Sequence, residues 1–209
     1  MGKLDKIAVI GAGLMGHGIA QEFALAGRDV RLNDISSERL SAALGQIEAN
    51  MVLLQELGVV DGPADPPVSK RIRTTTSLEE AVDGADLVVE AVFENLEVKR
   101  ELFGRLDRLT RPDTILASNS STFVPSQLAQ AVSKPQRLLV AHYFNPPYLL
   151  PLVEIVPGPE TDPDAVEAVV QLMKETGKQP VVLQREVLGF VVNRLQTALI
   201  REAAYLVGQ

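Results

Sequence analysis

The 209-residue chain contains no cysteine, no tryptophan and only two histidines, His17 and His142. The absence of cysteine excludes disulfides, thiolate nucleophiles and thiolate metal sites, and we predict no metal centre. A histidine base can only be His17 or His142, because histidine alone has an ordinary pKa near neutrality. No apolar run approaches the length of a membrane span, so we expect no membrane partner.

Positive charge is also scarce, since 20 Lys and Arg face 27 Asp and Glu, giving a net charge of −7. This balance argues against nucleic acid or an anionic membrane as a partner. The length and the 46% hydrophobic content suit one sizeable core with part of a second. No basic leader followed by an apolar segment opens the chain, and we expect a soluble, cytoplasmic protein.

Glycine is concentrated where an apolar strand, residues 6–10, meets a predicted helix, in the motif Gly11-Ala-Gly13-Leu-Met-Gly16. Gly11 allows the tight turn, Gly13 lets a pyrophosphate approach the backbone, and Gly16 lets the helix pack closely. The free N–H groups and positive dipole at the helix start favour phosphate. The motif therefore predicts a dinucleotide site; its turn residues Leu14 and Met15 are included among the predicted contacts.

Asp34 ends the second apolar run and completes this pattern. A carboxylate there can accept hydrogen bonds from a ribose diol, and it repels a 2′-phosphate, so the predicted cofactor is NAD. The alternative is that Asp34 is a helix-capping acid before Ser36.

Strands and helices alternate along most of the chain, which predicts an α/β fold with a doubly wound, mostly parallel sheet. We expect residues 152–156 to be antiparallel at the sheet edge and residues 58–69 to be a loop. The other predicted strands are 29–34, 72–76, 86–92, 114–118, 138–141 and 180–183, and the later helices are 38–57, 77–84, 96–109, 125–131 and 162–176.

The last predicted helix, residues 188–207, has an apolar face and little of the first domain left to cover it. We therefore expect residues 1–186 to form one domain. Residues 187–209 would begin a helical domain that is missing or truncated here. The alternative is that this helix is buried in another subunit.

His142 follows an apolar strand, where open parallel sheets bind ligands. Glu154 lies inside an apolar run, where a carboxylate is costly unless paired. A proline-rich turn between the two strands would bring Glu154 beside His142, fixing its tautomer and raising its basicity. The alternatives are a core histidine bonded to a carbonyl and an edge-strand glutamate facing solvent.

Other polar groups follow neighbouring strands. Residues 118–122, Ser-Asn-Ser-Ser-Thr, supply hydroxyl donors or form a capped polar loop. Asn193 interrupts the last apolar face, as a substrate ligand or a helix-surface residue. Glu90, Glu94 and Lys99 flank another strand end, as cofactor and substrate contacts or as surface charges.

Together these residues resemble the 3-hydroxyacyl-CoA dehydrogenase family along essentially the whole chain. Within that family the segments around residues 145–157 and 193–196 are similar to the branch of L-gulonate 3-dehydrogenase and lambda-crystallin. The matching motifs are Gly11-Ala-Gly-Leu-Met-Gly16, Val89-Glu-Ala-Val-Phe-Glu-Asn-Leu-Glu-Val-Lys99, Ala117-Ser-Asn-Ser-Ser121, His142-Tyr-Phe-Asn-Pro146, Leu152-Val-Glu-Ile155 and Gly189-Phe-Val-Val-Asn-Arg194.

The resemblance implies a Rossmann domain followed by a helical domain that carries a homodimer interface. It implies that His142 is the general base, that Glu154 orients it, and that Ser121 and Asn193 contact the substrate oxygen. It also implies cofactor-side or substrate contacts for Glu94, Lys99, Ser121 and Asn145.

The implied reaction is NAD-dependent oxidation of the 3-hydroxyl of a 3-hydroxyacyl-CoA or a small free 3-hydroxy acid. Members that use CoA carry lysines after strand two, whereas residues 36–69 here hold five acids and one base, a net charge of −4. The alternative function is a crystallin-like or regulatory dinucleotide-binding protein without turnover.

Overall fold

The structure, a computed structural model, describes residues 3–62 and 64–209. Within these residues eight strands form one sheet, in which the chain returns from one edge to place the fourth strand beside the first. The strands are β1 (Lys6–Ile10), β2 (Asp29–Asn33), β3 (Ile72–Thr75), β4 (Leu87–Glu90), β5 (Ile115–Ser118), β6 (Leu138–Tyr143), β7 (Leu152–Pro157) and β8 (Gln179–Val182), in the spatial order β3-β2-β1-β4-β5-β6-β7-β8.

Helices cover both faces of the sheet, because alternate residues of each strand point to opposite sides. Ile7 and Val9 of β1 pack with the first, second and sixth helices, whereas Ala8 and Ile10 pack with the third to fifth. The helices are α1 (Gly16–Leu25), α2 (Ser37–Glu56), α3 (Leu78–Val82), α4 (Leu96–Leu109), α5 (Pro125–Ala129), α6 (Pro163–Glu175) and α7 (Val192–Val207).

The predicted α/β fold is confirmed. β1 to β6 are parallel, and β7 pairs with β6 in the antiparallel sense that the sequence predicted. The prediction that this strand lies at the edge is wrong, because β8 pairs parallel to β7 on its outer side. Hydrophobic periodicity identifies strands but does not give their neighbours, and α6 carries the chain across to the new edge.

Several boundaries also differ from the predictions. β4 ends at Glu90, not at residue 92, and the predicted loop 58–69 runs into a short 3₁₀ helix, Val68–Arg71. β6 continues through Tyr143, so His142 lies within the strand and not after it. The strand is longer because β7 pairs with it along this whole stretch. Pro63 of the predicted loop lies outside the described residues.

The glycine turn after β1 has the geometry that its sequence predicts. Gly11 has a φ of +105°, which disfavours any side chain, and a Cβ there would lie 2.5 Å from the Ala91 carbonyl oxygen. A Cβ on Gly16 would lie 1.7 Å from the Gly11 oxygen, so only glycine lets α1 begin this close to the turn. At Gly13 no described atom lies within 4 Å of such a Cβ, which leaves open space for a ligand.

α7 begins at Val192, four residues later than predicted, and buries no residue against the rest of the described chain. Leu195, Leu199 and Leu206 are each more than 60% exposed. The division into residues 1–186 and 187–209 therefore stays a prediction. Of the helices in the described part of the chain, none has the length and apolarity needed to cross a bilayer.

Replacing Gly16 by alanine should lower the free energy of unfolding by about 1–3 kcal/mol, because the added methyl forces α1 away from the turn. Urea denaturation measures this change. The control is Gly45→Ala in the exposed middle of α2, where no described atom lies within 4 Å of the new methyl. That variant should be more stable by about 0.5–1 kcal/mol. Equal stability changes in both variants would show that the close contact at Gly16 does not matter.

Candidate active site

A cleft of about 870 Å³ opens beyond the carboxyl ends of the parallel strands, beside the crevice between β1 and β4 where the strand order reverses. Ile35 and Phe93, which the sequence did not single out, also line it and are 91% and 82% exposed. The predicted residues on its wall are Gly11, Gly13, Leu14, Met15, Asp34, Glu94, Lys99 and Ser121.

Asp34 is buried at the cleft and links the glycine turn to the segment after β2. Its Oδ2 accepts a hydrogen bond from the Ala12 N–H at 2.9 Å, and its Oδ1 accepts one from the Ser36 N–H at 3.2 Å. The interpretation of Asp34 as the cap of α2 is wrong, because neither oxygen binds an N–H within the helix. α2 itself is capped by the Ser36 hydroxyl, which accepts from the Arg39 N–H. The ribose contact stays a prediction.

The two histidines have different surroundings. His17 lies in α1, where its Nδ1 is 2.9 Å from the Gly13 carbonyl oxygen, so it supports the glycine turn. His142 lies on β6 directly opposite Glu154 of β7. Its Nδ1 is 2.9 Å from Glu154 Oε2, and the two residues are 4% and 1% exposed. Burial of this pair excludes the interpretation of Glu154 as a solvent-facing edge residue.

The second oxygen of Glu154 is held by the backbone that leads into α7. Oε1 accepts hydrogen bonds from the N–H groups of Val191 and Val192, both at 3.0 Å. The next residue, Asn193, donates from Nδ2 to the Ser121 carbonyl oxygen at 3.0 Å. Residues 191–193 therefore connect the four residues predicted to be catalytic, because they bind Glu154, which holds His142, and the Ser121 carbonyl. The backbone donors of Val191 and Val192 could not be identified from the sequence.

Lys99 and Glu90 form a buried ion pair beside the cleft. From the sequence alone, surface charges were an open alternative for these residues. Lys99 is 1% exposed, and its Nζ is 2.6 Å from Glu90 Oε1 and 3.1 Å from Glu94 Oε2. Glu90 is fully buried and also accepts hydrogen bonds from the Ser118 hydroxyl and the Val92 N–H. The surface interpretation is wrong for Glu90 and Lys99. The cofactor contact of Lys99 stays a prediction.

Glu94 uses the same lysine to fix the polar loop after β5. Its Oε1 accepts from the Ser120 hydroxyl and, at 3.1 Å each, from the N–H groups of Ser121 and Thr122. Burial raises the pKa of Glu94, but the Ser120 hydrogen bond and the Lys99 charge outweigh it and hold that pKa below its ordinary value. An ionised Glu94 therefore presents Ser121 to the cleft.

Asn145 is exposed on the loop after β6 and is not among the residues that line the cleft. Its predicted cofactor contact stays untested. The loop itself packs on α1, since a Cβ on Gly18 would lie 2.7 Å from Pro147 Cγ. The Lys178 ammonium, paired with Glu22 at 2.6 Å, donates to the Pro147 carbonyl oxygen at the same distance. Buried charges thus hold this loop on α1.

A family model described as "3-hydroxyacyl-CoA dehydrogenase, NAD binding domain" matches residues 6–187. The chain belongs to the 3-hydroxyacyl-CoA dehydrogenase family. NAD is the cofactor of this domain family, and the residues present fit it. The open space at Gly13, the backbone N–H groups at the start of α1 and the carboxylate of Asp34 would hold its pyrophosphate and ribose.

Three relatives illustrate the range of the family. The chain is 44% identical over 203 residues to a lambda-crystallin homolog of Bos taurus, covering 96% of this chain and 63% of that protein. It is 39% identical to the L-carnitine dehydrogenase of Streptomyces griseus, covering 97% and 59%. The solved structure of (S)-3-hydroxybutyryl-CoA dehydrogenase from Ralstonia eutropha superposes with a TM-score of 0.93 at 30% identity, covering 99% and 72%. The chain thus spans about three fifths of the length of these two curated relatives.

Lys99→Met should lower the free energy of unfolding by about 3–5 kcal/mol, because it leaves the fully buried Glu90 without its cation. It should also release Glu94 and loosen the loop that carries Ser121. Denaturation and amide exchange at residues 118–123 measure both effects. The same substitution at the exposed Lys174 of α6 should change stability by no more than about 0.5 kcal/mol. Protection of the loop at wild-type levels in Lys99→Met would contradict this role.

Proposed function

We propose that this chain is the cofactor-binding part of an NAD-dependent dehydrogenase that oxidises the 3-hydroxyl of a 3-hydroxy acid or its thioester. The observation that carries this proposal is the buried His142–Glu154 pair. The pair lies on β6 and β7, the next two strands of the sheet after β5. Asn119 and Ser121, which follow β5, line the cleft. Homodimer formation through a helical domain and a cytoplasmic location belong to the same proposal.

The pair has the arrangement of a general base with an orienting carboxylate. An ionised Glu154 can only accept, so in the proposed mechanism His142 carries its proton on Nδ1 and leaves a lone pair on Nε2. Nε2 would take the proton of the substrate hydroxyl, and Glu154 would stabilise the imidazolium that forms. Both groups are almost fully buried, so little water competes for either nitrogen.

The cofactor and the polar loop complete the site. When bound, NAD supplies the hydride acceptor. Ser121 and Asn193 would hold the substrate oxygen, and the hydrogen bond from Asn193 Nδ2 to the Ser121 carbonyl supports this role by joining the two residues. Binding by these groups would hold the substrate hydroxyl toward Nε2, so little orientational entropy would be lost in the reaction step.

Charge favours a small free acid over a CoA thioester. The acidic segment 36–69 includes α2 and is followed by three bases, Lys70, Arg71 and Arg73, of which two have partners within the chain. Arg73 pairs with Asp29, and Arg71 donates to the Pro66 carbonyl oxygen. A strongly anionic CoA would meet net negative charge here, whereas one substrate carboxylate needs only one or two donors.

His142→Ala should lower kcat of the complete protein by about 10²–10⁴-fold, because the general base is lost. Glu154→Gln should lower it by about 10²-fold or more, since a neutral amide cannot stabilise the imidazolium. NADH absorbance measures turnover, and calorimetry should show unchanged NAD affinity. The control is Glu160→Gln, the same change at an exposed residue just after β7, which should keep full activity. Full activity in either dyad variant would refute the assignment.

A substrate panel separates the two chemical classes. L-gulonate, L-carnitine and 3-hydroxybutyryl-CoA are assayed side by side with NAD. We expect the better free acid to exceed the thioester in kcat/KM by about tenfold or more, equivalent to about 1.4 kcal/mol. A preference for the thioester would overturn the charge argument but not the dehydrogenase proposal.

The relatives named lambda-crystallin favour a second candidate, a dinucleotide-binding protein without turnover. Under this alternative the chain binds NAD, and no 3-hydroxy substrate of the panel yields NADH. The buried His142–Glu154 pair supports the enzyme instead, because the carboxylate holds one imidazole nitrogen and the other is left for a substrate proton.

A further inference from the structure

Phe190 stands out as the one non-glycine residue with a positive φ among the described residues, at +50°. An aromatic side chain rarely adopts this left-handed conformation, and such outliers persist where the surroundings require them. The preceding Gly189 is also left-handed, with a φ of +74°. The two residues form a sharp turn immediately before α7.

This turn places its residues against both members of the dyad. The Phe190 side chain is fully buried, and its ring centroid lies 5.4 Å from that of His142, with the planes tilted by 54°. Phe144 packs against the imidazole at 4.6 Å. The N–H groups of Val191 and Val192, which follow the turn, hold Glu154.

We propose that Phe190 is a positioning residue for the dyad and that its left-handed turn is a device for orienting His142. This inference rests on the proposed function and adds a residue to it. The ring packs against the imidazole and keeps Nδ1 directed at Glu154, so that Nε2 stays free of its proton. The same turn aims two backbone donors at the carboxylate, which fixes both partners from one segment.

The alternative is that Phe190 only fills the hydrophobic core on this face of the sheet. Phe103 of α4 is the matched residue for this alternative, because it is also fully buried in the same core cluster. A role in packing alone predicts that loss of either ring lowers stability and leaves the state of His142 unchanged. A positioning role predicts that only the Phe190 change alters His142.

The test compares Phe190→Ala with Phe103→Ala by ¹⁵N NMR of the chain labelled at histidine. Only two histidines are present, so the imidazole signals can be assigned, and His17 serves as an internal reference. In the wild type and in Phe103→Ala we expect the His142 proton on Nδ1. In Phe190→Ala we expect a shift toward the Nε2–H tautomer that solvated histidine prefers. Phe190→Gly, which suits the left-handed turn, is the second variant in case Phe190→Ala does not fold.

Kinetics give an independent readout on the complete protein. Loss of the Phe190 ring should lower kcat by about 10-fold to 100-fold, because a misplaced base loses its near-attack geometry. NAD affinity should be unchanged, and Phe103→Ala should keep the wild-type kcat. Phe190 variants with the wild-type tautomer and kcat would overturn the inference.

The two proposals fail separately. The NMR measurement needs no substrate, so a tautomer change in a protein that oxidises no hydroxy acid would support the positioning role and refute the dehydrogenase proposal. Turnover that depends on His142 but not on Phe190 would do the reverse.

Discussion

A buried carboxylate is costly unless its oxygens are paired, and this constraint shapes the carboxyl end of the sheet. Glu90 is fully buried and satisfies its oxygens with Lys99, Ser118 and the Val92 N–H. Glu154 is almost as buried and uses His142 and two backbone donors. Each carboxylate joins elements that are far apart in sequence, so satisfying the charge also builds the site.

The two carboxylates act on different parts of that site. Glu90 fixes Lys99, which holds Glu94, and Glu94 in turn accepts the N–H groups of Ser121 and Thr122. This chain of contacts supports the cofactor cleft. Glu154 instead holds His142. The hydrogen bond between Asn193 and the Ser121 carbonyl links the two halves, so the residues proposed to bind substrate lie where both networks meet.

Two kinds of feature could be predicted from the sequence: those that depend on residues close together in the chain, and those that follow from the energetic cost of burying a charge. The glycine turn follows from three glycines at fixed spacing, and the pairing of Glu154 with His142 follows from the cost of a carboxylate in an apolar run. The features that escaped prediction depend on tertiary contacts. His142 lies inside β6 because β7 pairs along it, and Lys99 is buried because α4 folds it back onto Glu90 at the end of β4.

The backbone hydrogen bonds of the site were the hardest feature to predict from the sequence. The N–H groups of Val191 and Val192 are available to Glu154 because two left-handed residues turn the chain before α7. Gly189 hints at such a turn, but nothing in the identity of Phe190 does.

α7 is joined to this geometry at its start and is exposed along the rest of its length. Its first residues bind Glu154, Asn193 donates to the Ser121 carbonyl, and the rest of the helix projects away from the described domain. The same short segment therefore both closes the polar network around Glu154 and begins a helix whose apolar side chains are exposed.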